Sequence, residues 1–326
     1  MPSNDSTIQW LLNSDPSIRW QTLRDLLNAP ESEWTAERNR IETEGWGAAL
    51  LSHQDEDGQW AGGAFIPKNF PHSEWKTSGQ PWTATCWALQ QLREFGLNPA
   101  SNSAKRTVEL VGKNCRWDEG DQPYWDGEVE ECINGRTVAD GAYFGVDVSP
   151  IVKRLLGELQ EDGGWNCERA NGSLRSSFDT TISVLEGLLE YEKATGGTPE
   201  TTAARKSGEE YLLKRHLFRR LTTGEPVDEE YLQLIHPNHW RYDILRALDY
   251  FRAESLLNDT PPDSRLKEAI EKVRAKQSED GKWLLERELR GREWLRMNEG
   301  VRKPSPWVTL RALRVLKWWD QQYKQE

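Results

Sequence analysis

A turn sequence that occurs three times constrains this fold more than any other feature of the chain. The copies run from Gln54 to Trp60, from Gln160 to Trp165 and from Gln277 to Trp283. Each copy combines a glutamine, acidic residues, a glycine and a closing tryptophan, and each ends one apolar helical segment and precedes another. Because a repeated turn between helical segments is the signature of stacked hairpins, the pattern predicts a protein built from helical hairpins.

Charged amphipathic segments alternate with apolar segments between these turns, as expected for outer and inner helices. Counting residues 6–28 as a first pair gives six pairs, and six pairs can close into a ring that needs no cap. We therefore predict an all-α fold, an (α/α)6 toroid, in which residues 1–326 form a single domain. Residues 1–30 would be its N-terminal helical pair and residues 31–326 its repeat hairpins. The later pairs are predicted at 31–53 and 81–92, 101–113 and 137–145, 150–160 and 176–191, 203–220 and 240–257, and 263–277 and 307–319.

Composition excludes several classes of partner. The formal net charge of −11 disfavours general binding to nucleic acid or to anionic membranes. No uninterrupted apolar stretch approaches the roughly 20 residues of a membrane span, and no signal peptide is evident. The four cysteines show no CxxC spacing, which favours a reducing compartment. We expect a cytoplasmic protein that binds a small molecule, without nucleic acid and without stable membrane insertion.

The repeated turn resembles the QW motif of squalene and oxidosqualene cyclases. Their α/α-barrel superfamily also includes the protein prenyltransferase β subunits. In that superfamily the glutamine and the tryptophan brace neighbouring helix ends, so the resemblance implies a structural role for both residue types here. It also implies a terpenoid-cyclase- or prenyltransferase-like enzyme that acts on a small, largely apolar or isoprenoid-like substrate in a central aromatic cavity.

The catalytic signatures of these families do not carry over to this chain. The Asp-x-Asp-Asp proton donor of the cyclases is absent from the sequence. The zinc segments of the prenyltransferases, Asp-Gly-Cys-Tyr and Tyr-His-Thr, correspond to Asp140-Gly141-Ala142-Tyr143 and Phe178-Asp179-Thr180. Ala142 and Asp179 therefore replace a cysteine and a histidine ligand. The resemblance leaves the reaction open among hydrolysis, elimination and isomerisation.

Acid/base residues are expected in the first turns of the inner helices, which in such a barrel converge on one mouth of the cavity. Asp140, Asp179 and Asp243 are the predicted acid/base carboxylates. His239, four residues before Asp243, would share its helix face and complete a His–Asp base. The alternative for each carboxylate is a structural cap of its helix. Aromatic residues of the same turns are the predicted substrate-binding residues: Trp82, Tyr143, Phe178, Trp240, Tyr242 and Trp307.

Cys132 and Cys167 are predicted on loops at the same end of the barrel. With Asp179 or His239 they would form a mixed site suited to zinc or another divalent metal. Alternatively, they are small buried apolar residues. Besides the isoprenoid-type enzyme, the sequence thus leaves open a metal-dependent enzyme of the same fold and a non-catalytic ligand- or partner-binding barrel. A glycan-processing barrel is a fourth hypothesis.

Overall fold

The computed structural model describes residues 4–322, in which short 3₁₀ and π segments and isolated β-bridges accompany the α-helices and no β-strand occurs. The all-α prediction is confirmed, whereas closure into a toroid stays a prediction. No helix in this part of the chain is long and apolar enough to cross a membrane. The helices are α1 Asn4–Leu12, α2 Pro16–Gln21, α3 Glu31–Asn39, α4 Gly45–Ser52, α5 His72–Ser78, α6 Thr85–Phe95, α7 Asn102–Asn114, α8 Glu131–Phe144, α9 Ser149–Gly157, α10 Phe178–Thr195, α11 Pro199–Leu213, α12 Ile244–Asn258, α13 Lys267–Ala275 and α14 Pro306–Gln322.

The chain folds into two compact units. Unit 1 comprises the described residues of 1–40 together with Leu212–Glu288 and 297–322, and unit 2 comprises Ile41–Tyr211 and Leu289–Arg296. In unit 1, α12 packs against α13 and α14, and α2 packs against α3 and α14. In unit 2, α8 is the central helix, since α6, α7, α9 and α10 all pack against it.

Several predicted segment boundaries are wrong. The predicted helix over 31–53 is broken, because a 3₁₀ turn at Arg40–Glu42 and Gly45, with φ of +65°, separate α3 from α4. Helix α5 lies between the predicted segments 31–53 and 81–92, where no helix was predicted. Helix α8 starts at Glu131 rather than at residue 137, and α12 starts at Ile244 rather than at Trp240.

The three turn tryptophans make the same contacts in each copy. Their side chains are fully buried. Each indole Nε1 donates to the carbonyl ten residues earlier in the chain, at the end of the preceding helix. The pairs are Trp60 with Leu50 at 2.8 Å, Trp165 with Leu155 at 2.8 Å and Trp283 with Val273 at 2.7 Å.

A threonine of the next inner helix completes each brace. The backbone N–H of each turn tryptophan donates to a threonine Oγ1 at 3.0–3.1 Å. The three threonines are Thr85, Thr181 and Thr309, in the first turns of α6, α10 and α14. Each turn thus ties the end of one helix to the start of the next.

The glutamines are not equivalent in the three copies. Gln54 and Gln277 donate their side-chain amides to the glycine carbonyls of their own turns, at 2.9 and 3.1 Å. Gln160 lies one residue closer to its tryptophan and donates instead to the carbonyl of Ser173, at 2.9 Å. The element shared by all three copies is Glu-Asp-Gly-x-Trp. Its glycine has φ between +83° and +103°, a conformation that favours glycine.

Helices α8 and α10 approach each other closely at two glycines. A Cβ atom on Gly187 would lie 2.2 Å from the carbonyl oxygen of Gly135, and one on Gly135 would lie 2.6 Å from the carbonyl oxygen of Ser183. Only residues without side chains permit this approach. The contact joins the N-terminal half of α8, which carries Cys132, to the middle of α10.

Candidate metal centre

The two cysteines predicted as metal ligands lie together in unit 2, with one carboxylate. Cys132 is in the first turn of α8, and Cys167 starts the 3₁₀ turn Cys167–Asn171 that precedes α10. Their Sγ atoms and a carboxylate oxygen of Glu130 all lie within 4.8 Å of one another. In the part of the chain that the structure describes, this is the one such group of three or more potential metal ligands.

Hydrogen bonds connect the three donor groups. The Cys132 Sγ donates to Oε2 of Glu130 at 3.4 Å, and Oγ1 of Thr180 donates to Sγ of Cys167 at 3.6 Å. A hydrogen bond between the thiols, reinforced by burial, raises the pKa of Cys132. The same hydrogen bond lowers the pKa of Cys167. Burial raises the pKa of Glu130, although its hydrogen bond with Cys132 opposes this.

The segment that carries Glu130 is held in place by buried polar contacts. Asn134, fully buried one turn into α8, accepts from the backbone N–H of Glu128 at 2.7 Å and donates to its carbonyl at 2.8 Å. Arg154 donates to the carbonyl of Val129 at 2.7 Å. Since the backbone of the two residues before Glu130 is fixed by hydrogen bonds, the Glu130 carboxylate is presented by an ordered backbone.

The turn that carries Cys167 is tied to the start of α8 by ion pairs. Arg169 donates to Glu131 at 2.8 Å and to Glu158 at 3.2 Å. Asn166 caps the turn, because its Oδ1 accepts from the backbone N–H of Glu168 at 3.0 Å. These contacts explain why two cysteines far apart in sequence meet in space.

A pocket of about 810 Å³ adjoins this group, and Glu130 forms part of its wall. Two loops form the remaining walls: residues 62–70, with Phe65, Lys68 and Phe70, and residues 114–121, with acidic side chains beside Trp117. The start of α8 closes one end. Neither loop was predicted to line a site, because neither carries a periodic pattern.

Neither predicted third ligand is in the group. Asp179 is half-buried in the first turn of α10 and is not one of the three residues that converge. His239 belongs to unit 1 and is likewise outside the group. The carboxylate that the structure places beside the two thiols is therefore that of Glu130 rather than that of Asp179 or a side chain of His239. The available signal was the acidic run directly before Cys132.

Asp140 lies in the last turns of α8, not in the predicted first turn, because the helix begins at Glu131. Its side chain is fully buried, and its Oδ1 accepts from Nε of Arg93 at 2.7 Å. Its Oδ2 has no hydrogen-bond partner among the described residues. Burial raises the pKa of Asp140 from 3.8 to about 6, although the Arg93 guanidinium opposes the shift. An acid/base role for Asp140 stays a prediction, and its side chain is not part of the pocket wall.

His239 lies before α12 and so shares no helix face with Asp243, while the pairing of the two as a base stays a prediction. Asp243 is the N-cap of α12 and accepts from the backbone N–H of Arg246 at 2.7 Å. Its other oxygen accepts from Asn238 at 2.8 Å and from a backbone N–H at 3.1 Å. His239 precedes the helix with φ of +48°. Asp243 is therefore a structural cap of its helix, which was the alternative to an acid/base role.

None of the six predicted substrate-binding aromatics lines the 810 Å³ pocket. Their contacts in the described structure lie elsewhere, so a substrate-binding role for them stays a prediction. Trp82 donates to the carbonyl of Arg290, Tyr143 to that of Leu97 and Tyr242 to that of Leu217, while Phe178 packs on Tyr211, Trp240 lies under Arg241 and Trp307 stacks on His236.

Comparisons with known proteins assign no family to this chain. No family model and no curated protein matches it. A solved structure of a protein from Actinoplanes aligns with 98% of this chain and 100% of its own length, at 14% sequence identity and a TM-score of 0.46. A similarity at that level supports neither a family nor a function.

Proposed function

We propose that this protein is a metal-dependent enzyme in which Glu130, Cys132 and Cys167 hold a divalent ion of the zinc type. The observation that carries the proposal is the convergence of three donor atoms within 4.8 Å, one of which belongs to Glu130 in the wall of a pocket. Sulfur and carboxylate oxygen are both zinc ligands, and a site with three protein ligands keeps a fourth position for water or substrate. Zinc in such a site lowers the pKa of bound water and polarises substrate oxygens.

The surrounding residues support such a site. Metal ligands are oriented by hydrogen bonds from groups behind them. Thr180 donates to Cys167, Asn134 holds the backbone at Glu128, and Arg169 ties the Cys167 turn to α8 through Glu131. These contacts position all three donors before any ion binds.

The zinc set of the protein prenyltransferases does not fit this chain. Its cysteine and histidine positions are occupied by Ala142 and Asp179. Asp140, which corresponds to its aspartate, is bound by Arg93 in the core. The proposed site therefore uses different residues from those that the resemblance implies.

The pocket is suited to a small polar substrate. Its volume of about 810 Å³ lies in the range of small-molecule sites. Its wall mixes aromatic rings with charged groups of both signs, among them Lys68, Arg116 and Asp118. A cytoplasmic location is part of the same proposal, because two reduced thiols are needed for metal binding.

An isoprenoid-type enzyme is the second candidate. The braced Glu-Asp-Gly-x-Trp turns support it, since they resemble the QW motif. This reading requires an apolar cavity other than the charged pocket beside Glu130. It would gain support if an isoprenoid bound the purified protein while metal removal left its turnover unchanged.

Metal analysis of the purified protein tests the first proposal. Protein prepared without chelators should contain about one zinc-type ion per chain by inductively coupled plasma mass spectrometry. Cys132→Ser and Cys167→Ser should each lower the metal content at least tenfold, because each removes one of only three protein ligands. Glu130→Gln should weaken binding by a factor of about 10 or more.

Cys86→Ala is the matched control for these variants. The Cys86 thiol is buried outside the three-donor group, so its removal should leave the metal content unchanged. Zinc titration by calorimetry would exclude loss of metal during purification. Wild-type protein that binds no divalent metal in either measurement would contradict the proposal.

A further inference from the structure

Two of the four thiols of this chain differ from the others in accessibility and in position. Cys86 and Cys115 are buried in the core of unit 2. Cys132 and Cys167 are only partly buried, and their Sγ atoms lie within 4.8 Å of each other. One close pair is therefore more exposed to a dissolved oxidant than the remaining thiols are.

We propose that Cys132 and Cys167 form an oxidisable thiol pair, which closes to a disulfide with a hydroperoxide and thereby releases the metal. The metal-release part rests on the proposed function, whereas disulfide formation depends only on the position of the two thiols. Two of the three protein ligands disappear when the disulfide forms. Glu130 alone cannot hold the ion, since structural and catalytic zinc sites use three or four protein ligands.

The structure keeps the two sulfur atoms within reach of each other. Arg169 and Glu131 join the two backbone segments at 2.8 Å, and the glycine contact between α8 and α10 holds the helices behind them. A disulfide needs a sulfur–sulfur distance near 2.05 Å. Side-chain rotation can supply the remaining approach, because both cysteines lie at the ends of elements and are partly exposed.

The chemical steps balance with a hydroperoxide as the oxidant. One thiolate sulfur attacks the peroxide, an S–O bond forms, the O–O bond breaks and, after protonation, water or an alcohol leaves. The second thiol then attacks the sulfenic sulfur, so that an S–S bond forms and the S–O bond breaks with loss of water. The two sulfurs together lose two electrons and the peroxide gains them. A bound metal occupies both sulfurs and should slow the first step.

Peptide mapping after mild oxidation tests the thiol pair. The full-length protein, stripped of metal by a chelator, is treated with one equivalent of hydrogen peroxide and alkylated after denaturation. We expect one intramolecular cross-link between the peptides of Cys132 and Cys167, and alkylation of Cys86 and Cys115. Sulfinic acids without a cross-link, or a cross-link to another cysteine, would overturn the proposal.

A zinc-loaded sample and one variant separate this inference from the proposed function. Peroxide should release zinc in proportion to the disulfide formed, and zinc should slow the cross-link at least tenfold. Glu130→Gln should weaken metal binding but still form the cross-link, because both thiols remain. A cross-link in a protein that binds no metal would refute only the proposed function and the release step. Metal binding without any cross-link would refute the thiol pair and leave the proposed function standing.

Discussion

At the scale of single residues, the candidate site consists of Glu130, Cys132 and Cys167 in unit 2. Cysteines are rare in this chain, and Cys132 and Cys167 could be selected from the four by their predicted positions on loops. Glu130 could not be selected from the sequence, because it is one of 53 acidic residues and its acidic neighbours were equally good candidates for a ligand. Asn134 fixes the backbone of Glu128 and thereby orders the segment that presents Glu130.

Asp140 should make stability depend on pH. Its buried carboxyl binds a proton up to a pH of about 6, whereas the unfolded carboxyl releases it near 3.8. Between these pH values the native state holds a proton that the unfolded state has lost, so stability falls as the pH rises. The fall attributable to this group is roughly 3 kcal/mol in total. Asp140→Asn removes it, as urea unfolding between pH 3.5 and about 7 would show.

The decisive quantity is the difference between the two pH profiles. Wild-type protein should lose stability relative to Asp140→Asn as the pH rises from about 4 to about 6. The variant also leaves Arg93 without its ion-pair partner, which lowers its stability at every pH and does not affect the slope. Asp121→Asn, at an exposed position, controls for the loss of one negative charge. Parallel profiles for wild type and Asp140→Asn would show that the buried carboxyl does not titrate in this window.

The secondary-structure elements were predicted more reliably than their ends. Helix α8 was predicted to begin near residue 137 but begins at Glu131. The reason is that its first five residues include Cys132, Asn134 and Gly135, which are poor helix formers and become helical through tertiary contacts. Gly135 in particular is present because α10 passes too close for a side chain.

Substituting Gly187 by alanine should disturb both the helix contact and the metal site. The new Cβ would lie 2.2 Å from the carbonyl oxygen of Gly135, which is backbone and cannot move aside alone. Overpacking of this kind costs about 1–3 kcal/mol or more. We expect a lower free energy of unfolding and at least tenfold weaker zinc binding, measured by denaturant titration and calorimetry.

Gly157→Ala provides the matched control, since a Cβ at Gly157 would meet no atom within 4 Å. Alanine at that helical position should leave stability unchanged or raise it by up to about 1 kcal/mol. If Gly187→Ala behaved like Gly157→Ala, the close approach of α8 and α10 would not be a determinant of the site.

On the scale of the whole molecule, the repeated turns occur in both compact units. The braces of Trp60 and Trp165 lie in unit 2, and that of Trp283 lies in unit 1. All three make the same pair of hydrogen bonds, to a preceding helix and to a following threonine. The same local hydrogen-bond arrangement therefore occurs in each unit, as expected for a chain built from repeated hairpins.

Removing one indole hydrogen bond should weaken the unit that contains it. Trp165→Phe removes the indole donor from the carbonyl of Leu155, which keeps the backbone N–H of Glu158 at 3.2 Å, and opens space in a fully buried position. Trp283→Phe does the same at Val273, which keeps the backbone N–H of Lys276. Losses of about 1–3 kcal/mol are expected from the lost hydrogen bond together with the space left in the core. Hydrogen exchange should show reduced protection first in unit 2 for Trp165→Phe and first in unit 1 for Trp283→Phe.

The two variants also test the prediction of a single domain over residues 1–326. If the units unfold separately, each substitution lowers amide protection in its own unit and leaves the other unchanged. A uniform loss of protection across both units, for either variant, would instead support one cooperative domain.

Local regularities in the sequence were sufficient for the helical class, for the repeated turn and for the selection of two cysteines. Helical periodicity and turn glycines act over a few residues, so they can be read without knowing the fold. Only the tertiary structure decided that Gln160 differs from Gln54 and Gln277, that Glu130 joins the thiols, and that Asp140 and Asp243 are held by Arg93 and a helix N-terminus. Those outcomes depend on which side chains meet across long sequence separations, and that is set by packing rather than by local preference.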